Sequence, residues 1–81
     1  MDNRDDEALA AFYDRNLPRV IAYFRRRVAQ PEQAFDLAAE TFTRVLTSVE
    51  SFDPSRGPAM AWVLRIARNL LIDAERRRAV D

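Results

Sequence analysis

Apolar positions set the first element. Leu9, Phe12, Tyr13, Leu17, Val20, Ile21, Phe24 and Val28 recur three or four residues apart, the period of an amphipathic helix. Pro18 interrupts this run. It lacks an amide donor and crowds the preceding turn, so it predicts a kink, or a restart with Pro18 as the first helical residue. The apolar phase continues across it, which predicts one kinked helix or two nearly collinear ones. In "AQPEQ", Pro31 suits the first turn of a second helix and Glu32 complements its dipole. That helix is expected to reach about Ser48, with Phe35, Ala38, Phe42, Val45, Leu46 and Val49 inward and Asp36, Glu40, Thr43, Arg44 and Thr47 outward. "SFDPSRGP" is dense in turn formers, so residues 51–57 read as a loop. Pro58 then opens a last helix to about Arg78. Its inward positions are Met60, Val63, Leu64, Ala67, Leu70, Leu71 and Ala74, and a second stripe holds Arg65, Arg68, Asn69, Ile72 and Arg76. No segment alternates with period two. The expected fold is an all-α bundle of three long helical segments. Its ordered part spans about 8–78, residues 1–7 form an acidic tail, and 79–81 begin a linker.

Composition narrows the function. Eighty-one residues make one small domain, which buries only roughly 60% of its unfolded surface. With 48% apolar residues the chain has enough hydrophobic content to fold. It has no cysteine and no histidine, so thiolate and imidazole chemistry is excluded. No stretch approaches the ~20 apolar residues of a membrane span, and the acidic start is the opposite of a signal peptide. A soluble, cytoplasmic chain without cofactor or metal is expected. Asp36 and Glu40 share a helix face as paired carboxylates could, but no partner group accompanies them, so an enzyme is not expected.

The net charge is zero, yet the charges are segregated. Residues 1–14 set Arg4 against five carboxylates, and residues 15–29 carry five arginines and no acid. Residues 30–53 oppose five carboxylates with Arg44 alone, and residues 54–81 hold six arginines against three acids. Such a neutral sum hides basic and acidic faces. Trp62 stands one turn before the arginine stripe of the last helix, and the loop precedes it. Aromatics interleaved with arginines suit single-stranded nucleic acid, where bases stack on rings and guanidinium groups hold phosphates. Asn69 can read a base edge with both its donor and its acceptor. The pattern places Trp62 equally well in the core or against a ligand. The competing class is a helical protein–protein adaptor that binds no DNA.

The segments "FDLAAETFTRVL" and "FDPSRGPAMAWVLRIARNLLIDAERRR" stand in order, after "AFYDRNLPRVIAYFRRRV". Together they resemble the second conserved domain, region 2, of bacterial sigma factors of the extracytoplasmic-function (ECF) group, from about Leu9 to Arg78. The resemblance implies that the helix carrying Asp36, Leu37, Glu40, Thr41 and Phe42 docks on a helical coiled coil of the largest RNA polymerase subunit. The docking face would comprise Asp36, Glu40, Thr43, Arg44 and Thr47. Phe35 departs from the pattern, because members usually carry an acidic residue there, and it is expected in the core.

The same resemblance makes the loop a specificity loop that captures a base flipped from the non-template strand of the promoter −10 element. Phe52, Asp53, Pro54, Ser55, Arg56, Gly57, Pro58, Ala59, Met60 and Ala61 would form the pocket. Trp62, Arg65, Arg68, Asn69 and Arg76 would face DNA. A loop without regular backbone bonding can offer amide and carbonyl groups to a base edge, which a helix cannot. The implied partners are RNA polymerase core, promoter DNA and, as is usual for the group, an anti-sigma factor. No membrane is implied, and the chain alone would be a monomer. A complete member continues into a linker and a second helical domain, so the resemblance implies one domain of a longer protein.

Overall fold

In the computed structural model, residues 3–80 are described along the backbone and the side chains of residues 7–79. Three helices follow one another: α1 (Asn3–Arg25), α2 (Pro31–Thr47) and α3 (Ala59–Val80). Two 3-10 turns, Val49–Ser51 and Pro54–Arg56, lie between α2 and α3. No strand forms among the described residues, and the fold is the all-α bundle the periodicity predicts.

Helix α1 runs through Pro18 without a break. Pro18 and Asp14, whose carbonyl loses the i→i−4 donor, are both exposed, so water can satisfy that oxygen. Helix α1 also starts at Asn3, which makes the expected tail helical from Asn3 to Glu7; Met1 and Asp2 lie outside the described residues. A carboxylate-rich sequence suits a helix N-terminus. The chain leaves α1 through tight bonds from the Arg27 and Val28 amides to the Phe24 carbonyl, at 2.8 and 2.9 Å. Gln30 is extended, the conformation favoured before a proline, and Pro31 opens α2. At its far end α3 continues through Ala79 to Val80, where a linker is expected. Arg77 and Arg78 in its last turn favour the dipole, and no glycine or proline stops it.

The core joins Val20 and Phe24 of α1, Ala34, Leu37, Ala38, Phe42 and Val45 of α2, and Val63, Ala67, Leu70 and Leu71 of α3. Helix α2 packs extensively on both other helices, whereas α1 and α3 touch each other much less. Alanines 34, 38 and 67 are buried and let the backbones approach. Thr41 is fully buried, and its hydroxyl donates to the Leu37 carbonyl at 2.7 Å, so it leaves no polar group unpaired. The buried Asn16 likewise donates to the Phe12 carbonyl at 2.9 Å.

The inward face of α2 differs from the expected one. Ala38, Phe42 and Val45 are buried, but Phe35, Leu46 and Val49 are 50%, 56% and 41% exposed. Leu37, Ala34 and Thr41 take the inward positions instead. The helix is apolar on more than one side, and contact with two neighbours selects the stripe that carries the small residues. Phe35, expected in the core, stands in solvent beside Asp36.

Phe24→Ala should cost about 3–5 kcal/mol through the cavity left behind, a large part of the ~4–12 kcal/mol available to a domain of this size. Phe35→Ala should stay within about 0.5 kcal/mol. Urea unfolding followed by circular dichroism checks both; equal losses would put Phe35 back in the core.

Candidate nucleic-acid interface

The connection from α2 to α3 is built, not slack. Asp53 caps the second 3-10 turn: its Oδ1 accepts from the Ser55 amide at 3.0 Å and from the Ser55 hydroxyl at 2.7 Å. Those two bonds, the hydroxyl's first, hold the Asp53 carboxyl below the usual carboxylate range. Gly57 ends the turn at φ 142° and ψ −178°, a conformation essentially reserved for glycine. A β-carbon there would meet no atom within 4 Å, so the requirement is purely one of backbone.

The amides of this segment are largely committed. Ser51, Phe52, Arg56 and Gly57 donate to Ser48, Val49, Asp53 and Pro54 carbonyls at 2.9, 3.2, 3.0 and 3.4 Å. Ser55 donates to Asp53, and Pro54 and Pro58 have no amide. Bonds within the 3-10 turns thus occupy most amides from Ser51 to Gly57, while the Ala59 and Met60 amides open α3 without an acceptor inside the helix.

Beside it lies a half-open cavity of about 110 Å³. Of the expected loop residues, Phe52, Asp53, Arg56, Gly57, Pro58 and Ala61 line it, together with Trp62 and Arg65. Pro54, Ser55, Ala59 and Met60 do not. Ser51 does, and sequence reading had ended the pocket at Phe52; its hydroxyl donates to the Ser48 carbonyl at 2.7 Å and keeps its acceptor capacity. The Phe52 and Trp62 rings lie 5.1 Å apart, tilted by 40°. Trp62 is half-buried, packed on the core at one side and lining the cavity at the other. An aromatic wall, one carboxylate and two guanidinium groups border this space.

Arg68 and Asn69 are exposed farther along α3 and line no cavity with the loop. Arg76 does not join the loop group either. It borders an open groove of about 430 Å³ with Glu40, Arg44, Leu70, Asp73 and Arg77, between α2 and α3. One helix face read along α3 thus serves two surfaces, because its far end lies alongside α2.

The expected docking residues Asp36, Glu40, Thr43, Arg44 and Thr47 are all exposed. The Thr43 and Thr47 hydroxyls donate to Ala39 and Arg44 carbonyls, both at 3.1 Å. Phe35 and Leu46 add exposed apolar area to the same helix. No group of three or more acidic side chains capable of holding a metal occurs among the described residues, and none of their helices is long and apolar enough to cross a membrane.

The chain matches the family described as Sigma-70 region 2 over residues 12–80. It is 33% identical over 73 residues to the ECF RNA polymerase sigma factor SigK of Mycolicibacterium vanbaalenii, covering 90% of this chain and 37% of that protein. To the ECF RNA polymerase sigma factor RpoE of Cereibacter sphaeroides it is 32% identical over 76 residues, covering 94% and 42%. To the ECF RNA polymerase sigma factor SigW of Bacillus subtilis it is 32% identical over 77 residues, covering 95% and 41%. The chain therefore spans about two-fifths of the length of these curated relatives. No solved structure matches it.

Gly57→Ala should destabilise the loop by about 1–3 kcal/mol with little change in helix content. The Asp53 cap exists while its carboxylate is charged. Because its folded pKa is lowered, the loop keeps that contribution above the ordinary value of 3.8 and loses it as pH falls through the lower folded value. Trp62, the sole tryptophan, should report this as an emission change in acid that Asp53→Asn shows already at neutral pH.

Proposed function

Because the chain belongs to the Sigma-70 region 2 family, we propose that it is the domain of a sigma factor that docks on RNA polymerase core and reads and opens the promoter −10 element. Its role is binding, not catalysis. The observation that carries this reading is the half-open cavity bordered by the Phe52 and Trp62 rings, with Asp53, Arg56 and Arg65 beside them. A base of the non-template strand leaves the duplex and stacks there. Extraction costs a few kcal/mol, which stacking and edge contacts offset. The Asp53 carboxylate keeps Oδ2 as an acceptor for a base edge, and its charge turns phosphates away toward the arginines. Arg65 and Arg68 hold phosphates without regard to sequence, and Asn69 meets a base edge or sugar.

On the exposed face of α2, Asp36, Glu40, Thr43, Arg44 and Thr47 meet the polymerase. Phe35 and Leu46 lend this face the apolar contact that an acidic residue at position 35 would not. An anti-sigma factor would compete for the same exposed helix.

Fluorescence anisotropy with −10 non-template oligonucleotides tests the base-reading claim. The cognate strand should bind more tightly than a scrambled one, and single strand more tightly than duplex. Trp62→Ala should weaken the cognate strand by about 1–3 kcal/mol. Equal binding of cognate and scrambled strands would sink base capture, and indifference to strandedness would favour an adaptor. Asp36→Arg should weaken association with core polymerase roughly tenfold or more, leaving oligonucleotide binding unchanged.

A further inference from the structure

The far end of α3 holds two arginines that take no part in the loop cavity. Arg76 and Arg77 stand alongside α2, where they line the groove of about 430 Å³ with Glu40, Arg44, Leu70 and Asp73. Glu40 and Arg44 belong to the proposed docking face of α2. That face therefore does not stop at the edge of its own helix. It continues across a shared groove onto α3.

The groove is lined by charge over a closed floor. Leu70 is only 2% exposed and belongs to the core, so nothing can enter deeply. The other five lining residues are exposed charged side chains. On α2 the acid Glu40 precedes Arg44 by four residues, and on α3 the acid Asp73 precedes Arg76 and Arg77 by three and four. These spacings put acid and base on one face of each helix, with the acid on the N-terminal side, the better orientation. Both banks of the groove thus carry the two signs about one turn apart. A guanidinium has five N–H donors, so an arginine that meets the acid on its own helix keeps donors for a second carboxylate.

This mixture decides what kind of partner fits. A nucleic-acid strand brings only negative charge, and here it would run against Glu40 and Asp73 as well as toward the arginines. Like charges set against each other are costly, which selects against a polyanion. A protein helix can present both signs at the matching spacing and meet both banks at once.

We infer that the groove between α2 and α3 is part of the polymerase-docking surface, and that Arg76 and Arg77 contact the polymerase and not DNA. The occupant is a helix of the core enzyme, with an acidic side chain toward Arg76 and Arg77 and a basic one, about one turn away, toward Glu40 and Asp73. The inference rests on the docking reading of α2, and the experiment separates the two.

The test measures association of the labelled 81-residue chain with core RNA polymerase, beside its binding to the −10 non-template oligonucleotide, each across a salt series. Arg76→Gln/Arg77→Gln should weaken core association about fivefold or more and make it less sensitive to salt. Oligonucleotide affinity should stay within about twofold. Arg76→Lys/Arg77→Lys keeps the charge and should recover part of the core affinity. Arg25→Gln/Arg78→Gln removes as many exposed charges outside the groove and should leave core association unchanged. Circular dichroism confirms that each variant keeps its helices. Unchanged core association in the groove variant, with Asp36→Arg still disruptive, overturns the inference and leaves the docking reading standing. An equal loss in the Arg25/Arg78 variant also overturns it, because the effect is then one of net charge. A groove variant that loses oligonucleotide affinity while holding the core enzyme overturns it too and returns Arg76 to DNA. A groove variant that weakens core association while Asp36→Arg does not supports the groove as a core contact and removes the α2 face as the main docking site.

Discussion

Helix α2 is packed from two sides, and the rest of the molecule follows from that. Its inward stripe of Ala34, Leu37, Ala38, Thr41, Phe42 and Val45 must fit α1 and α3 together. Small side chains let both neighbours come close, and the Thr41 hydroxyl bonds within its own helix, so no polar group needs a partner across the interface. With α2 occupying the centre, α1 and α3 are held apart, and a basic cleft remains between them. The outer face of α2 is left to solvent and carries the carboxylates together with Phe35 and Leu46.

Charge division and helix geometry then act together. The net charge is zero, but it is unevenly spread: arginines gather from Arg15 to Arg27 and along α3, while α2 exposes Glu32, Asp36 and Glu40 and the first half of α1 is acidic as well. The loop joins the two regimes: it leaves the acidic helix, gathers Asp53, Arg56 and Arg65 around two aromatic rings, and delivers the chain to the basic one.

Much of this was legible in the residues. Pro31 and the turn formers between Ser51 and Pro58 mark the breaks, because proline and glycine act through local backbone rules that tertiary packing seldom overrides. Pro18 was less legible. A helix tolerates it where the lost bond faces water, and which side faces water depends on the finished bundle. The phase of α2 was misread for a related reason. Hydropathy gives Phe35, Leu46 and Val49 more weight than Ala34 and Thr41, whereas a helix pressed between two others selects for size. Ser51 was read as part of the loop but not of the pocket wall, because a lone serine carries no pattern that marks it as lining a cavity. The parting of Arg76 from Arg65 was invisible because a helical face says nothing of what lies beside each end.

The loop's form depends on few groups: a glycine in a backbone region closed to other residues, and a carboxylate tied to the serine two positions on. Most of the cavity's lining side chains have no share in that scaffolding. Frame and lining can thus vary separately. A lineage of such proteins could exchange its wall residues one at a time and alter the chemistry of the cavity, while the frame that presents them stays unaltered and the bundle beneath registers no change.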